Sequence, residues 1–511
     1  MPSRSQATGV RDLLRGGPVS RRRWVGVMVV CIGVMMSFVN VSATLSALSY
    51  VQQDLRLSGP TLIWVTSAFP LAMVSLLMSA GTFGELYGRR RTYFAGLVLM
   101  GVGSLVAFLA GNAAALIAGQ AVMGVGAAVA MPTGLSIVSS TFPDQHERAQ
   151  AIGVWASTAG IGLAVGPLVS GALLDNFSWH SAYLTNVILA LVGAGLVPVF
   201  IAEGKHPGRR LDPIGVVLGT IVAAALAFAI IEGGSHGFTT GPSVAAYVLL
   251  AVSLPAFVAV ELRHRDPMLD LRLFRSASFT VIQLASASAM YGFVGLSLLT
   301  ILYLQRVAHL DAWSTGVHML PWMLSYVAVS AVAARVVRSV GMAATLTAGL
   351  VLMGVGALAL QRVGTVDGYD TMWPPLLALG IGSALLVGPS TAAAVNSVSP
   401  LQAGMASATV NTFRQFGSML GPSILGTVAM TQFPQYLTRD LAAAGLGPDV
   451  TPGLVAAAVR GTHPEVPAAL GSLLDQAIPE ALTSALHLGF AVGGITLLAA
   501  AIPTAIFVRQ R

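Results

Sequence analysis

Arg21-Arg22-Arg23 is followed by Trp24-Val25-Gly26-Val27-Met28-Val29-Val30-Cys31-Ile32-Gly33, and no further charged residue occurs before Asp54. A span needs about 20 mainly apolar residues to cross a hydrocarbon core of about 30 Å. Residues 24–48 meet that length, and the arginines before them hold that end on the inner side. The run is too long for a signal-peptide core and no small-residue cleavage site follows it, so it reads as an uncleaved span. Cys31, the one cysteine, lies inside this run and has no internal disulfide partner.

Composition extends the same reading to the whole chain. Of 511 residues, 55% are apolar and 9% charged, with a mean hydropathy of +0.78. Soluble domains carry roughly 25% charged residues, so this chain lacks the charge to cover itself in water. Apolar runs recur at 24–48, 61–84, 92–110, 113–138, 151–174, 182–202, 213–231 and 244–260. They continue at 279–304, 313–336, 342–360, 372–395, 404–431 and 483–508. The pattern predicts an all-α integral membrane protein with fourteen transmembrane helices.

Charge placement tests the count. With the amino terminus in the cytoplasm and strict alternation, 21 of the 27 Lys and Arg fall inside, five outside, and Arg414 within a span. That is the bias expected of cytoplasmic loops, so both termini are expected in the cytoplasm. The net charge of +7 is thereby accounted for by topology and not by a nucleic-acid partner. The one long connection, 432–482, is expected outside as short amphipathic helices.

Two runs repeat a pattern. Gly162, Gly166 and Pro167 in one, and Gly417, Gly421 and Pro422 in another, both read Gly-x-x-x-Gly-Pro. Small residues four apart share a helix face and admit a close neighbour, and the proline bends the helix. Recurrence in both halves suggests two related bundles around a central cavity.

With Gly81-Thr82-Phe83-Gly84-Glu85-Leu86-Tyr87-Gly88-Arg89-Arg90-Arg91 after the second run, these features resemble the major facilitator superfamily, in its fourteen-span drug:proton antiporter branch. Gly162 to Gly171 is similar to the branch's antiporter motif, with Ser170 where Gly is usual. Trp179 and Asn186, Leu211-Asp212-Pro213, Asp266-Pro267, Leu302-Tyr303-Leu304-Gln305 and Asn411 to Gly417 match in order. The resemblance implies two six-helix bundles plus two extra central helices: a basic arm 1–23, bundle 24–204, insert 205–276 and bundle 277–511. It also implies a monomeric multi-pass protein of a bacterial inner membrane that exports small hydrophobic or amphipathic compounds, drugs and antibiotics among them, by proton antiport. No cofactor or metal is implied.

The departures bear on mechanism. Counting back fourteen residues from Asp54, the family's usual Asp is Asn40; four before Gly124, its usual Arg is Gln120. At 1.5 Å per residue both reach a similar depth, about 24 Å from one face and about 10 Å from the other. Two amides there can hydrogen-bond each other, where one stranded charge would be costly. The motif's Asp is Glu85, and His180 replaces an Arg.

Ionisable groups within spans default to function. Arg414 lies near the midplane with Asn411, Gln415 and Ser418 on its face, either as a cavity residue or as a hydrogen-bond hub. Glu232 and His318 are the groups left to carry a proton, each with a plainer interfacial reading. Glu85, Gly88, Arg89 and Arg90 suit an inner latch or a topology signal. No Walker loop, metal-ligand spacing or nucleophile elbow is present, which excludes the usual enzyme classes. Two alternatives stand beside export of drugs: a lipid or cell-envelope precursor transporter with weak coupling, and a non-transporting membrane sensor or scaffold.

Overall fold

The computed structural model describes residues 18–142, 144–204, 213–264, 271–365, 369–398, 403–447, 450–459 and 467–508. The basic arm to residue 17, the loops with Lys205 and Arg265, and the side chains at Gly81 and Glu85 lie outside the described residues.

The described residues form helices and no strand. In the first half these are α1 (Pro18–Leu55), α2 (Gly59–Tyr87), α3 (Arg89–Phe108), α4 (Ala113–Thr141), α5 (Gln145–Asn176) and α6 (Ser181–Phe200). Then come α7 (Pro213–His236) and α8 (Gly241–Arg263). The second half has α9 (Ala277–Arg306), α10 (Ala312–His318), α11 (Leu320–Ser330), α12 (Ala333–Val340), α13 (Met342–Ala359), α14 (Trp373–Asn396) and α15 (Ala403–Gly421). It ends with α16 (Thr427–Ala443), α17 (Thr451–Val459) and α18 (Ala468–Phe507).

The halves repeat one packing scheme. In the first, α1 packs on α5 and α6, and α3 on α4 and α6; in the second, α9 packs on α15 and α18, and α13 on α14 and α18. Across the halves the contacts are reciprocal: α2 meets α15, and α5 meets α10 and α11. Burial follows. The apolar core window of α9 is 94% buried, that of α8 only 17%, because α8 rests on α7 at the periphery.

The repeated motif sets the closest approaches. In a bilayer, helices associate by packing and not by a hydrophobic drive. A methyl group at Gly162 or Gly166 would stand 3.0 Å from Phe38 Cβ or 2.5 Å from Ser42 Cβ, both on α1. On the other side, a Cβ at Gly417 would run into the Ala287 carbonyl oxygen, and one at Gly421 would fall 2.5 Å from that of Tyr291, both on α9. Gly171 makes the same kind of contact between halves, at 2.7 Å from the Ala312 carbonyl. Each motif therefore seats its helix on the first helix of its own half.

The expected runs are modified in three places. Residues 313–336 are not one helix: α10, α11 and α12 divide them, with a 62° bend between the last two. Residues 404–431 are interrupted by a π turn at Pro422–Gly426, since proline offers no N–H for the regular ladder. The described part of segment 432–482, expected outside, consists of extensions of α16 and α18 with α17 between them. Eleven described helices are long and apolar enough to cross a membrane, or twelve with the bent pair counted as one. The other two long helices are α5 and α15, which carry Gly-x-x-x-Gly-Pro.

Two measurements follow from this packing. A cysteine at exposed Val450 should react with an impermeant thiol reagent in intact cells, against the low background of buried Cys31; reaction only after permeabilisation reverses the topology. Gly417→Ala should destabilise the protein by about 1–3 kcal/mol of overpacking, seen as a lower melting midpoint in detergent, whereas Gly153→Ala, with nothing within 4 Å, should leave the midpoint unchanged.

Candidate functional site

A narrow, nearly closed cleft of about 10 Å³, room for roughly one water, lies between the halves. Asn40 and Thr44 of α1, Thr66 and Phe69 of α2 and Gln120 of α4 line it from one half, Val294 of α9 and Ser418 of α15 from the other. Within it the two amides meet: Asn40 Nδ2 donates to Gln120 Oε1 at 2.9 Å. Gln120 Nε2 donates in turn to Thr44 Oγ1 at 2.6 Å and Tyr183 Oη at 3.2 Å. The Tyr183 carbonyl accepts from Ser104 Oγ at 2.7 Å. All five side chains are buried. Buried polar groups need partners, and this network supplies them with no ion. One acceptor is left over, since Asn40 Oδ1 has no partner among the described residues.

Arg414, part-buried on α15, is bonded to neutral acceptors. Its guanidinium donates to Asn411 Oδ1 at 3.2 Å, to Ser390 Oγ at 3.3 Å, and to the Val387 carbonyl and Thr391 Oγ1 on α14. The geometry is that of a hub tying α15 to α14. Of the polar stripe, Ser418 reaches the cleft, while Asn411, Arg414 and Gln415 are not among its lining residues.

Hydrogen bonds between halves gather where α1, α5 and α9 end. Gln305 Nε2 donates to the Ser46 carbonyl at 2.8 Å, and Arg306 donates to Gln52 Oε1. The Asp175 carboxylate accepts the N–H groups of Ala312 and Trp313 at 3.2 and 3.0 Å, at the start of α10. Asp311 caps the same helix, accepting the Ser314 N–H at 2.6 Å, which holds its carboxyl below the usual carboxylate range. Asp54 Oδ2 accepts from Trp179 Nε1 at 2.7 Å, and His180 stacks on that indole at 3.7 Å.

At the opposite end the arginine motif has a partner that the sequence did not single out. Gly88 has φ 101°, open to glycine and strained for other residues, and a Cβ there would meet Glu203 Oε1 at 2.5 Å. Glu203 accepts the Arg90 N–H at 3.1 Å and pairs with the Arg90 and Arg91 guanidinium groups at 3.7 Å. Arg89 donates to the Ser136 carbonyl at 3.4 Å. The described part of the motif thus binds the end of α6 within its own half. The only signal was a single carboxylate closing a long apolar run.

The two proton-carrier candidates lie away from the cleft lining. His318 Nδ1 is 2.7 Å from the Ser314 carbonyl, and its ring meets Tyr369 edge to face at 4.5 Å. Glu232 is half-buried near the end of α7.

Two pseudo-equivalent helical halves around a buried polar cleft are the plan of a multi-pass membrane transporter. Residues 30–422 match the Major Facilitator Superfamily model, and the chain belongs to that superfamily. It is 31% identical over 414 residues to "Multidrug resistance protein Stp" of Mycobacterium tuberculosis, covering 80% of this chain and 76% of that one. It is 32% identical over 470 residues to "Puromycin resistance protein pur8" of Streptomyces alboniger, covering 89% and 90%. "Multidrug efflux pump LfrA" of Mycolicibacterium smegmatis is 29% identical over 487 residues, covering 94% and 95%. Among solved structures, a bacterial homolog of the human lysosomal transporter Spinster matches with a TM-score of 0.65 at 14% identity, over 97% of this chain and all of that one.

The amide pair should show coupling in a double-mutant cycle. Asn40→Leu or Gln120→Leu leaves buried donors or acceptors unpaired and should each cost about 1–3 kcal/mol. The double variant should cost less than their sum, by melting in detergent. Additive losses would mean the pair does not act as a unit.

Proposed function

We propose that this protein exports small hydrophobic or amphipathic compounds, drugs and antibiotics among them, from the cytoplasm across a bacterial inner membrane. Fourteen spans, both termini inside, and bundles 24–204 and 277–511 flanking the insert 205–276 complete the proposal. The charge split along the sequence supports the orientation, and the names of the relatives support the cargo class. The observation that carries the proposal is the neutral polar patch in an apolar cleft. Asn40, Thr44, Gln120 and Ser418 offer hydrogen bonds without a charge, between walls such as Phe69 and Val294. Such a surface binds by apolar area and a few hydrogen bonds. Asn40 Oδ1 is the acceptor open to an N–H or O–H of the cargo.

Proton antiport is the proposed drive, with Glu232 and His318 as the carriers, because neither Asn40 nor Gln120 titrates. Both candidates lie off the cleft lining, so protonation acts on the helices and not on the cargo directly. The neutral amide pair also favours a second reading, a lipid or cell-envelope precursor transporter with weak coupling.

Uptake of puromycin into inside-out vesicles, with and without an imposed pH gradient, separates them. Gradient-dependent uptake lost in Glu232→Gln or His318→Ala identifies the carrier. Tight coupling surviving both substitutions removes both candidates. Equal uptake with and without the gradient selects the weakly coupled reading. Absence of uptake for puromycin and for a fluorescent lipophilic cation overturns drug export.

A further inference from the structure

A second pocket, of about 180 Å³, lies apart from the cleft, beyond the ends of α1 and α9. Its floor is polar, from Gln53 of α1, Gln305 and Arg306 of α9 and His309 just after. Its roof is apolar, from Phe433 of α16, Ala458 of α17 and Leu474 with its neighbours on α18. The segment between α16 and α18 is therefore a cover over a built cavity. Gln52 Nε2 holds it down by donating to the Val459 carbonyl at 2.9 Å.

Three features of the floor point to a ligand. The Arg306 guanidinium donates to Gln52 Oε1, yet its buried Nε has no partner among the described residues. The Gln305 side-chain oxygen is likewise buried without a partner. His309 adopts φ 52°, a conformation that a non-glycine residue holds at a cost, often at a ligand site. The one acid in the lining, Asp475, is exposed at the rim. Among the described residues Arg306 thus presents a cation with a neutral partner only, at the foot of the chamber. A buried charge without a counter-ion is costly, and an incoming anion removes that cost.

We propose that this pocket binds an amphipath with an anionic head and an apolar body, its carboxylate or phosphate on Arg306 and its chain under α16 and α18. A cavity of about 180 Å³ is smaller than a whole drug-sized site, roughly 300–1,000 Å³, and takes a head group with a short apolar chain. Two sources share this chemistry, a free amphipathic carboxylate and an anionic phospholipid. The side on which the pocket opens rests on the orientation proposed above, but its occupancy does not.

The test uses the full-length protein in nanodiscs of phosphatidylcholine alone, where both faces are accessible and transport is not needed. The probe is decanoate bearing a terminal diazirine, photolysed and mapped by peptide mass spectrometry. Labelling is expected on α16 and α18, competed by decanoate and not by decan-1-ol. Arg306→Gln should weaken it about tenfold, the loss of one charge-assisted hydrogen bond, and Arg306→Lys should restore part. Competition by added phosphatidylglycerol and weakly by decanoate assigns the lipid source, and the reverse assigns the free acid. Equal competition by decan-1-ol, labelling confined to other helices, or full labelling of Arg306→Gln overturns the proposal. If Arg306→Gln does not elute as a folded species, the decanoate-against-decanol comparison on wild type decides alone. Loss of puromycin transport with labelling intact would instead count against the export function.

Discussion

The close seams of α5 on α1 and of α15 on α9 are what the rest of the molecule depends on. Where Gly417 lies against the Ala287 carbonyl there is no room for a methyl group, and dispersion is earned only by such contact when lipid is as apolar as the helices. The second seam joins α9 to α15, both of which line the cleft, while the first fixes α1, which lines it together with α2 and α4. Between halves, close packing at Gly171 against the Ala312 carbonyl is joined by hydrogen bonds such as Gln305 to Ser46 and Asp175 to the start of α10. Packed seams resist sliding, while a few polar links can be exchanged. The scheme suits two stiff halves that rock against each other.

Neutrality of the cleft is the second constraint. A buried ion pair broken at one member leaves an uncompensated charge, whereas amides at both positions need only hydrogen bonds. Asn40, Gln120, Thr44 and Tyr183 supply them to one another. Such a network orders the side chains without fixing the charge of whatever enters.

Much of this was legible in the sequence. Counting from Asp54 and Gly124 placed Asn40 opposite Gln120, because helical rise is constant and both helices are long. The glycine seams were legible because small residues at a four-residue spacing leave a mark that repeats. Other features left none. Val387 receives Arg414 through a backbone carbonyl, which any residue type would offer. Glu203 meets Arg90 and Arg91 across more than a hundred residues. The 62° bend between α11 and α12 falls in an apolar run with no proline at the break, so hydropathy passed through it. Of the polar lining, Asn40, Gln120 and Ser418 were readable; Thr44, Thr66 and the apolar Phe69 and Val294 were not, since they look like any residue of a packed helix, and Asn411, Arg414 and Gln415, expected in the cavity, are not among the lining residues.

Arg414 then explains where a proton carrier can sit. Its guanidinium keeps its charge, and its described partners are neutral. In low dielectric an uncompensated positive charge acts over a long range. A carrier placed beside it would meet that field each time its protonation added positive charge, as with an imidazole. His318, held by the Ser314 carbonyl and the Tyr369 ring, and Glu232 on α7, which packs on α2 and α16, both stand off the cleft. From those positions a change of charge would act on helices that carry the contacts between halves. On the proposed proton antiport, the division is between a fixed cation on α15 with neutral amides in the cleft, and carriers placed at the margin.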